Sequence, residues 1–210
     1  LSTGNVGAGG LGGKATGGVN VNGADGSSSS TIYTTNGGTT DTSYNPNAAP
    51  TIGNLNGDSV AWSGAGNTVR LDVGSNASLA DAELGALNGG NGNWSGASLV
   101  IQRNGTAVSS DVLGFDTAGA LFTVSGSNLQ SGGQTFATFT NTGGVLTITF
   151  TSSGTTATTA LVNDVAQRIT YRNDTPAGDA NVKVTLNDGA GASATANVTV
   201  ASDFIYVTNA

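Results

Sequence analysis

The side chains that this chain lacks limit the chemistry it can perform. Its 210 residues include no histidine, cysteine or methionine, so the common serine, cysteine and zinc mechanisms lack a base, a nucleophile or a ligand. Paired carboxylates of the glycosidase kind are the main alternative. Asp111 and Asp116, near Phe115, are the candidates, but a turn at the end of a strand explains them equally well. We therefore expect no enzymatic activity.

Carboxylates are nevertheless plentiful, and they favour the binding of cations. Thirteen acidic residues outnumber six basic ones, the net charge is -7, and every acid except Glu83 is an aspartate. Asp81 and Glu83 are one residue apart, so both can reach one calcium ion if the loop is curled. The alternative is that both are solvated loop acids. Calcium is the only cofactor that the sequence suggests.

Two tryptophans are candidates for contact with a sugar ring or a partner protein. Trp62 alternates with Val60, which favours a place in the core. Trp94 lies in the polar stretch 88–96 and is the better candidate for a glycan or interface contact. The alternative for Trp94 is core packing, because an indole is seldom left fully exposed.

The overall composition indicates an extracellular or cell-surface protein. Only 9% of the residues are charged, against roughly a quarter ordinarily, and 34 are glycine. The negative net charge repels phosphate backbones, so we expect no nucleic-acid partner. No stretch approaches the ~18 consecutive apolar residues that span a bilayer, so we expect no membrane insertion. We expect that any secretion signal has been removed or lies outside this chain.

Residues 1–47 differ in composition from the rest of the chain. They are rich in Gly, Ser, Thr and Asn and poor in apolar side chains, so burial cannot offset the entropy lost on ordering them. We expect a flexible arm or linker. The alternative is that the arm, or the C-terminal tail, adds a strand to the edge of a neighbouring sheet. The candidate strand donors are Val19, Val21, Ile32 and Tyr33 in the arm and Phe204 and Tyr206 in the tail.

Residues 48–210 carry the pattern of β-strands. In segment 145–151 apolar residues alternate with threonine, which places Leu146, Ile148 and Phe150 on one face. The Asp188–Gly189 pair predicts a tight hairpin near the C-terminal end. The alternation recurs in three further segments, at residues 69–73, 99–101 and 182–186. We predict an all-β, antiparallel sandwich.

One short helix is expected among these strands. Thr158 or Thr159 can cap a turn or two that carries Leu161, Val162, Val165 and Ile169 on one side. The predicted domain is therefore a sandwich with a single helical insertion, preceded by an extended arm.

Four segments follow one another in a strand–helix–strand order, at residues 145–151, 160–165, 169–174 and 182–189. Together with the opening 49–52 and the segment 79–83, this order resembles the cadherin-like or immunoglobulin-like repeats of large bacterial surface proteins of the adhesin or surface-layer type. The resemblance covers about residues 48–201.

This resemblance implies a role in adhesion or as a stiff spacer in a secreted chain. It also implies that calcium is bound within or between domains. The acidic loop pattern of the family falls on Asp81, Glu83, Asp174, Asp179 and Asp188.

Three functions are consistent with the sequence. The first is a non-catalytic structural or adhesion module of a bacterial surface or matrix protein, with calcium-loaded loops. The second is a self-assembling filament or surface-layer subunit that polymerises by strand donation, and the third is a glycan-binding module. The expected partners are further copies of the chain, tandem neighbouring domains, or a surface glycan or protein. The tail could continue into another copy of segment 47–52, as in a tandem or end-to-end array.

Overall fold

The computed structural model of the protein describes residues 47–202. The predicted arm, apart from its last residue, and the end of the tail lie outside the described residues. The same is true of all six candidate strand donors, Val19, Val21, Ile32, Tyr33, Phe204 and Tyr206. The domain boundary after residue 47 therefore stays a prediction.

Within residues 47–202 the chain forms thirteen strands and two α-helices. The strands are β1 (Thr51–Gly53), β2 (Ser59–Ala61), β3 (Val69–Arg70), β4 (Ser78–Ala80), β5 (Ser98–Arg103), β6 (Val112–Phe115), β7 (Thr123–Ser125), β8 (Asn128–Ser131), β9 (Gln134–Thr142), β10 (Val145–Phe150), β11 (Ile169–Arg172), β12 (Ala180–Asn187) and β13 (Ser193–Ala201). The helices are α1 (Ala82–Ala86), which is followed by a 3-10 turn (Asn88–Gly90), and α2 (Thr159–Gln167). Neither helix in this part of the chain is long and apolar enough to cross a bilayer.

The strands are organised in three sheets. The largest has eight strands in the order β2-β13-β12-β5-β10-β9-β8-β7, the second has the order β3-β11-β6, and β1 pairs with β4 in the third. Phe115 of β6 packs edge-to-face on Phe139 of β9, with ring centroids 5.2 Å apart, so the three-stranded sheet lies against the eight-stranded one. The predicted all-β sandwich is confirmed.

Strand β10 shows how the alternating sequence builds the core. Leu146, Ile148 and Phe150 are buried, because successive side chains of a strand point to opposite faces of its sheet. Ile148 is aligned with Leu99 of β5 on one side and with Phe139 of β9 on the other. Apolar side chains of three adjacent strands therefore meet on the inner face, as the sequence predicted.

The hairpin between β12 and β13 also follows the prediction. Asp188 is buried, and its Oδ1 accepts hydrogen bonds from the backbone N–H of Ala190 at 2.7 Å and of Ala192 at 3.0 Å. Gly189 has a φ of 83°, and a Cβ there would lie 2.6 Å from the carbonyl oxygen of Gly96. The turn therefore requires both the aspartate and the glycine.

Helix α2 begins where the sequence indicated. The Thr158 hydroxyl accepts a hydrogen bond from the Leu161 N–H at 3.4 Å and caps the helix. Leu161, Val162 and Val165 are buried. The Asn163 side chain accepts a hydrogen bond from the Leu79 N–H at 2.8 Å, which fixes the helix against β4.

Four details of the structure differ from the prediction. Ile169, expected on the face of α2, begins β11 instead. A second, five-residue helix, α1, is present because Asp81 caps a turn in a segment that the sequence predicts as a loop. The strand expected at residues 69–73 is only two residues long, since Asp72 turns inward and is buried. One pair of strands, β2 and β13, is parallel instead of antiparallel.

Two adjacent glycines in the β9–β10 turn give a matched test of backbone packing. Gly143 and Gly144 have φ values of 62° and 79°, but a Cβ on Gly143 meets nothing within 4 Å whereas one on Gly144 collides with the Val108 carbonyl. We expect Gly143→Ala to cost about 1–2 kcal/mol of unfolding free energy through backbone strain. We expect Gly144→Ala to cost a further ~1–3 kcal/mol through overpacking. Urea unfolding of both variants checks the difference, and equal costs would contradict it.

Candidate functional site

An extensive polar cluster is centred on the carboxylate of Asp111, which immediately precedes β6. Its Oδ1 accepts hydrogen bonds from the Tyr171 hydroxyl at 2.7 Å and from Asn173 Nδ2 at 2.8 Å. Arg103 donates to both oxygens, from Nη2 to Oδ1 at 2.8 Å and from Nε to Oδ2 at 3.0 Å. We call these four residues the Asp111 cluster.

The elements of the sandwich bring these side chains together. Arg103 ends β5 in the eight-stranded sheet, whereas Tyr171 lies in β11 of the three-stranded sheet. Asn173 follows β11 and also donates to the Ser110 hydroxyl at 3.1 Å. The cluster therefore connects the two sheets through one buried carboxylate.

Electrostatics in the Asp111 cluster favour a permanently ionised carboxylate. Burial alone would raise the pKa of Asp111, but hydrogen bonds from Arg103, Tyr171 and Asn173 together lower it below its ordinary value. Burial, followed by the hydrogen bond to Asp111, raises the pKa of Tyr171 to about 12. Asp111 thus stays charged and Tyr171 stays protonated at neutral pH.

The carboxylates considered for catalysis are engaged by different arginines. Asp111 pairs with Arg103, while Asp116 pairs with Arg70 at 2.7 Å. A general acid needs a raised pKa and a general base needs access to substrate, whereas Asp111 is buried, has a lowered pKa and is hydrogen-bonded on both oxygens. The arrangement is suited to holding strands in place.

Sequence reasoning missed the Asp111 cluster, although one of its signals was visible. Tyr171 and Asn173 are separated by one residue in a strand-like segment, which places them on the same side of the backbone. Arg103 and Asp111 could not be added to this pair, because the contacts depend on how distant strands pack together.

The structure places Asp81 and Glu83 at the beginning of α1. Asp81 is only 7% exposed, and its Oδ1 accepts a hydrogen bond from the Leu84 N–H at 2.7 Å. Its Oδ2 is buried and has no hydrogen-bond partner among the described residues. Glu83 Oε1 accepts a hydrogen bond from the Ala48 N–H at 3.2 Å. Asp81 is therefore a buried helix cap, not the solvated loop acid of the alternative interpretation.

The remaining three acids of the family pattern have separate local roles. Asp174 pairs with Arg172 at 3.2 Å and also accepts a hydrogen bond from the Gly66 N–H. Asp179 accepts one from the Ser202 N–H at 2.9 Å, and Asp188 organises the β12–β13 turn. Within residues 47–202 no three acidic side chains lie close enough together to hold a metal ion by themselves. Any calcium ion here would need backbone, amide or water oxygens as further ligands.

Trp94 is part of the core. Its side chain is 0% exposed, and its Nε1 donates a hydrogen bond to the Thr159 hydroxyl at 3.1 Å. The interpretation of Trp94 as a glycan or interface contact is therefore wrong, because the ring offers no face to a ligand. Gly92 leaves the room for this packing, since a Cβ there would collide with the Thr159 side chain.

One edge of the eight-stranded sheet carries no charge. All three residues of the outermost strand, β7, are exposed, and Val124 and the nearby Leu121 are 41% and 57% exposed. No acidic or basic residue occurs between Asp116 and Asp164. Natural edge strands are usually protected from pairing by charges, proline or bulges, so β7 lacks the commonest protection, charge.

Comparisons with models of protein families, with curated proteins and with solved structures found no match to this chain.

The Tyr171 hydroxyl gives the Asp111 cluster a measurable alkaline signature. Because its pKa rises from 10.0 to about 12 on folding, its contribution to stability is complete below pH 10 and is lost as the pH rises through about 12. We expect the difference in unfolding free energy between wild type and Tyr171→Phe to be constant below pH 10 and to shrink between pH 10 and pH 12. Urea unfolding at a series of pH values measures this difference. A difference independent of pH would contradict the assignment.

Proposed function

We propose that the chain is a non-catalytic structural or adhesion module of an extracellular bacterial surface or matrix protein, stiffened by calcium. The Asp111 cluster carries the proposal, because the Asp111 carboxylate and the Tyr171 hydroxyl are buried between sheets and are bonded to each other and to the half-buried Arg103. Buried ion pairs with additional hydrogen bonds specify one arrangement of strands. The Asp111 cluster would thus help an extracellular module to keep a fixed shape.

Calcium is proposed to act where α1 meets the start of the sandwich. The buried Oδ2 of Asp81 has no hydrogen-bond partner among the described residues, and a hard cation would satisfy it. Glu83 binds the Ala48 N–H, so an ion bound near these acids would stiffen the beginning of the domain.

The structural role is tested by displaying the full chain on a bacterium that does not adhere. We expect displayed cells to attach to glass or matrix protein, and the Asp111→Ala variant to lose attachment together with its fold. Removing one partner of a buried ion pair costs about 3–5 kcal/mol.

In parallel, the purified chain is assayed against glycan and peptide substrates. Turnover that Asp111→Asn abolishes while the fold is retained would contradict the proposal.

A second candidate function is self-assembly into a filament or surface layer. The edge at β7 supports it, because an edge strand without charged residues can pair with another chain. The incoming strand would come from the arm or tail of a neighbouring copy, or from its β7.

Assembly is tested by placing a charge on the edge. We expect Val124→Lys to weaken self-association by at least about tenfold, since Lys is a common natural protection of edge strands. Leu87→Lys is the matched control, because Leu87 is 48% exposed but lies outside the strands. Sedimentation velocity and electron microscopy measure the result, and deletion of residues 1–47 tells whether the arm is the donor. A wild type that is monomeric at all concentrations would exclude this function.

The glycan-binding function depended on Trp94 as the side chain that contacts the sugar, and Trp94 is buried. No other observation supports it, and we do not propose it.

A further inference from the structure

Two neighbouring loops on the β1–β4 side of the molecule are joined by hydrogen bonds. The first loop, residues 54–58, connects β1 to β2, and the second, residues 71–77, connects β3 to β4. Asn54 Nδ2 donates to the Asn76 carbonyl at 3.3 Å. The loops lie at the Gly53–Ser78 end of the β1–β4 pair, whereas Asp81 follows the other end.

Asp72, in the second loop, is a buried carboxylate with one unsatisfied oxygen. The residue is 1% exposed, and its Oδ2 accepts a hydrogen bond from the Ala77 N–H at 2.8 Å. Its Oδ1 is buried and has no hydrogen-bond partner among the described residues. A buried carboxylate with one oxygen unpartnered and no basic side chain bound to it keeps part of its desolvation cost, so the site favours a cation or a proton.

A second acidic residue, Asp58, contacts the backbone directly next to Asp72. Asp58 Oδ2 accepts a hydrogen bond from the Val73 N–H at 2.9 Å, and that nitrogen is covalently bonded to the carbonyl carbon of Asp72. Burial first, and then the charge of Asp58, raise the pKa of Asp72 against the lowering effect of backbone N–H groups in its own loop.

No basic side chain in residues 47–202 forms an ion pair with Asp58 or Asp72. Arg70, which directly precedes the second loop, pairs with Asp116, and its Nη1 also donates to the Ser75 hydroxyl of that loop at 3.3 Å. The neighbouring polar atoms are oxygens and amides. The Asn76 side chain lies over Gly74, since a Cβ built on Gly74 would be 2.8 Å from the Asn76 amide group. Carboxylate and amide oxygens are ligands of hard cations.

We propose that Asp58 and Asp72 bind a divalent cation of the calcium class between these two loops. Two carboxylates supply up to four oxygens, and backbone, amide or water oxygens complete the six to eight that calcium takes. The bound ion would tie β2, at the edge of the eight-stranded sheet, to the loop that follows β3. This site is separate from Asp81 and Glu83 and does not rest on the proposed function.

The test is a calcium titration of the full 210-residue chain by calorimetry and thermal unfolding, at matched ionic strength and with EDTA as reference. Calcium at a hundred times its dissociation constant should raise the Tm by about 5–10 °C. Asp72→Asn keeps an oxygen for the Ala77 N–H, and we expect it to lower calcium affinity at least about tenfold, because affinity depends on the number of charged ligands. If Asp72→Asn fails to fold, the half-buried Asp58→Asn provides the same test.

Asp81→Asn separates this site from the calcium site proposed at α1, since Asp81 is also buried with one unpartnered oxygen and asparagine is an equally good helix cap. We expect it to lose any ion bound at α1 and to keep the calcium binding that depends on Asp72. A calcium shift that survives Asp72→Asn and disappears in Asp81→Asn would overturn the proposal and assign the ion to α1. A wild type that does not respond to calcium would also overturn it.

Discussion

The buried carboxylate of Asp111 is the constraint on which the arrangement of the two larger sheets depends. It is reached by Arg103 from one sheet and by Tyr171 from the other, and Asn173 closes the set. A buried charge is costly unless it is paired, so loss of any one partner destabilises the positions of the others. Apolar packing brings the sheets together, whereas this cluster determines their relative register.

Buried carboxylates elsewhere in the sandwich divide into two kinds. Asp164, like Asp111, faces an arginine, at 2.6 Å, while Asp72 and Asp81 receive only backbone N–H groups. Asp188 likewise accepts backbone N–H groups, at the β12–β13 hairpin. Residues 117–163 carry no charge at all, so apolar burial and neutral hydrogen bonds hold that segment.

The sequence predicted what depends on local pattern and missed what depends on distant contacts. Period-two alternation located β10, and the capping residue Thr158 located α2, since both signals lie within a few residues. At Asp81 the sequence does not distinguish a helix cap from a metal ligand, because both use the same residue type. For Trp94 it does not distinguish core packing from exposure, because the burial depends on Thr159, 65 residues away. The Asp111 cluster requires four segments to meet, which no local pattern encodes.

The parallel pairing of β2 with β13 affects how the domain would respond to force. The contact extends beyond the strands themselves, from Gly57 N–H bonded to the Asn197 carbonyl to Trp62 N–H bonded to the Ala201 carbonyl. When the two ends of such a domain are pulled apart, parallel neighbours near those ends move in opposite directions along their length. The hydrogen bonds between β2 and β13 are then loaded in shear, so all of them carry the force together. In an antiparallel hairpin pulled from its open end, by contrast, the hydrogen bonds break one after another. The edge of the sheet formed by β2 would thus act as a mechanical clamp.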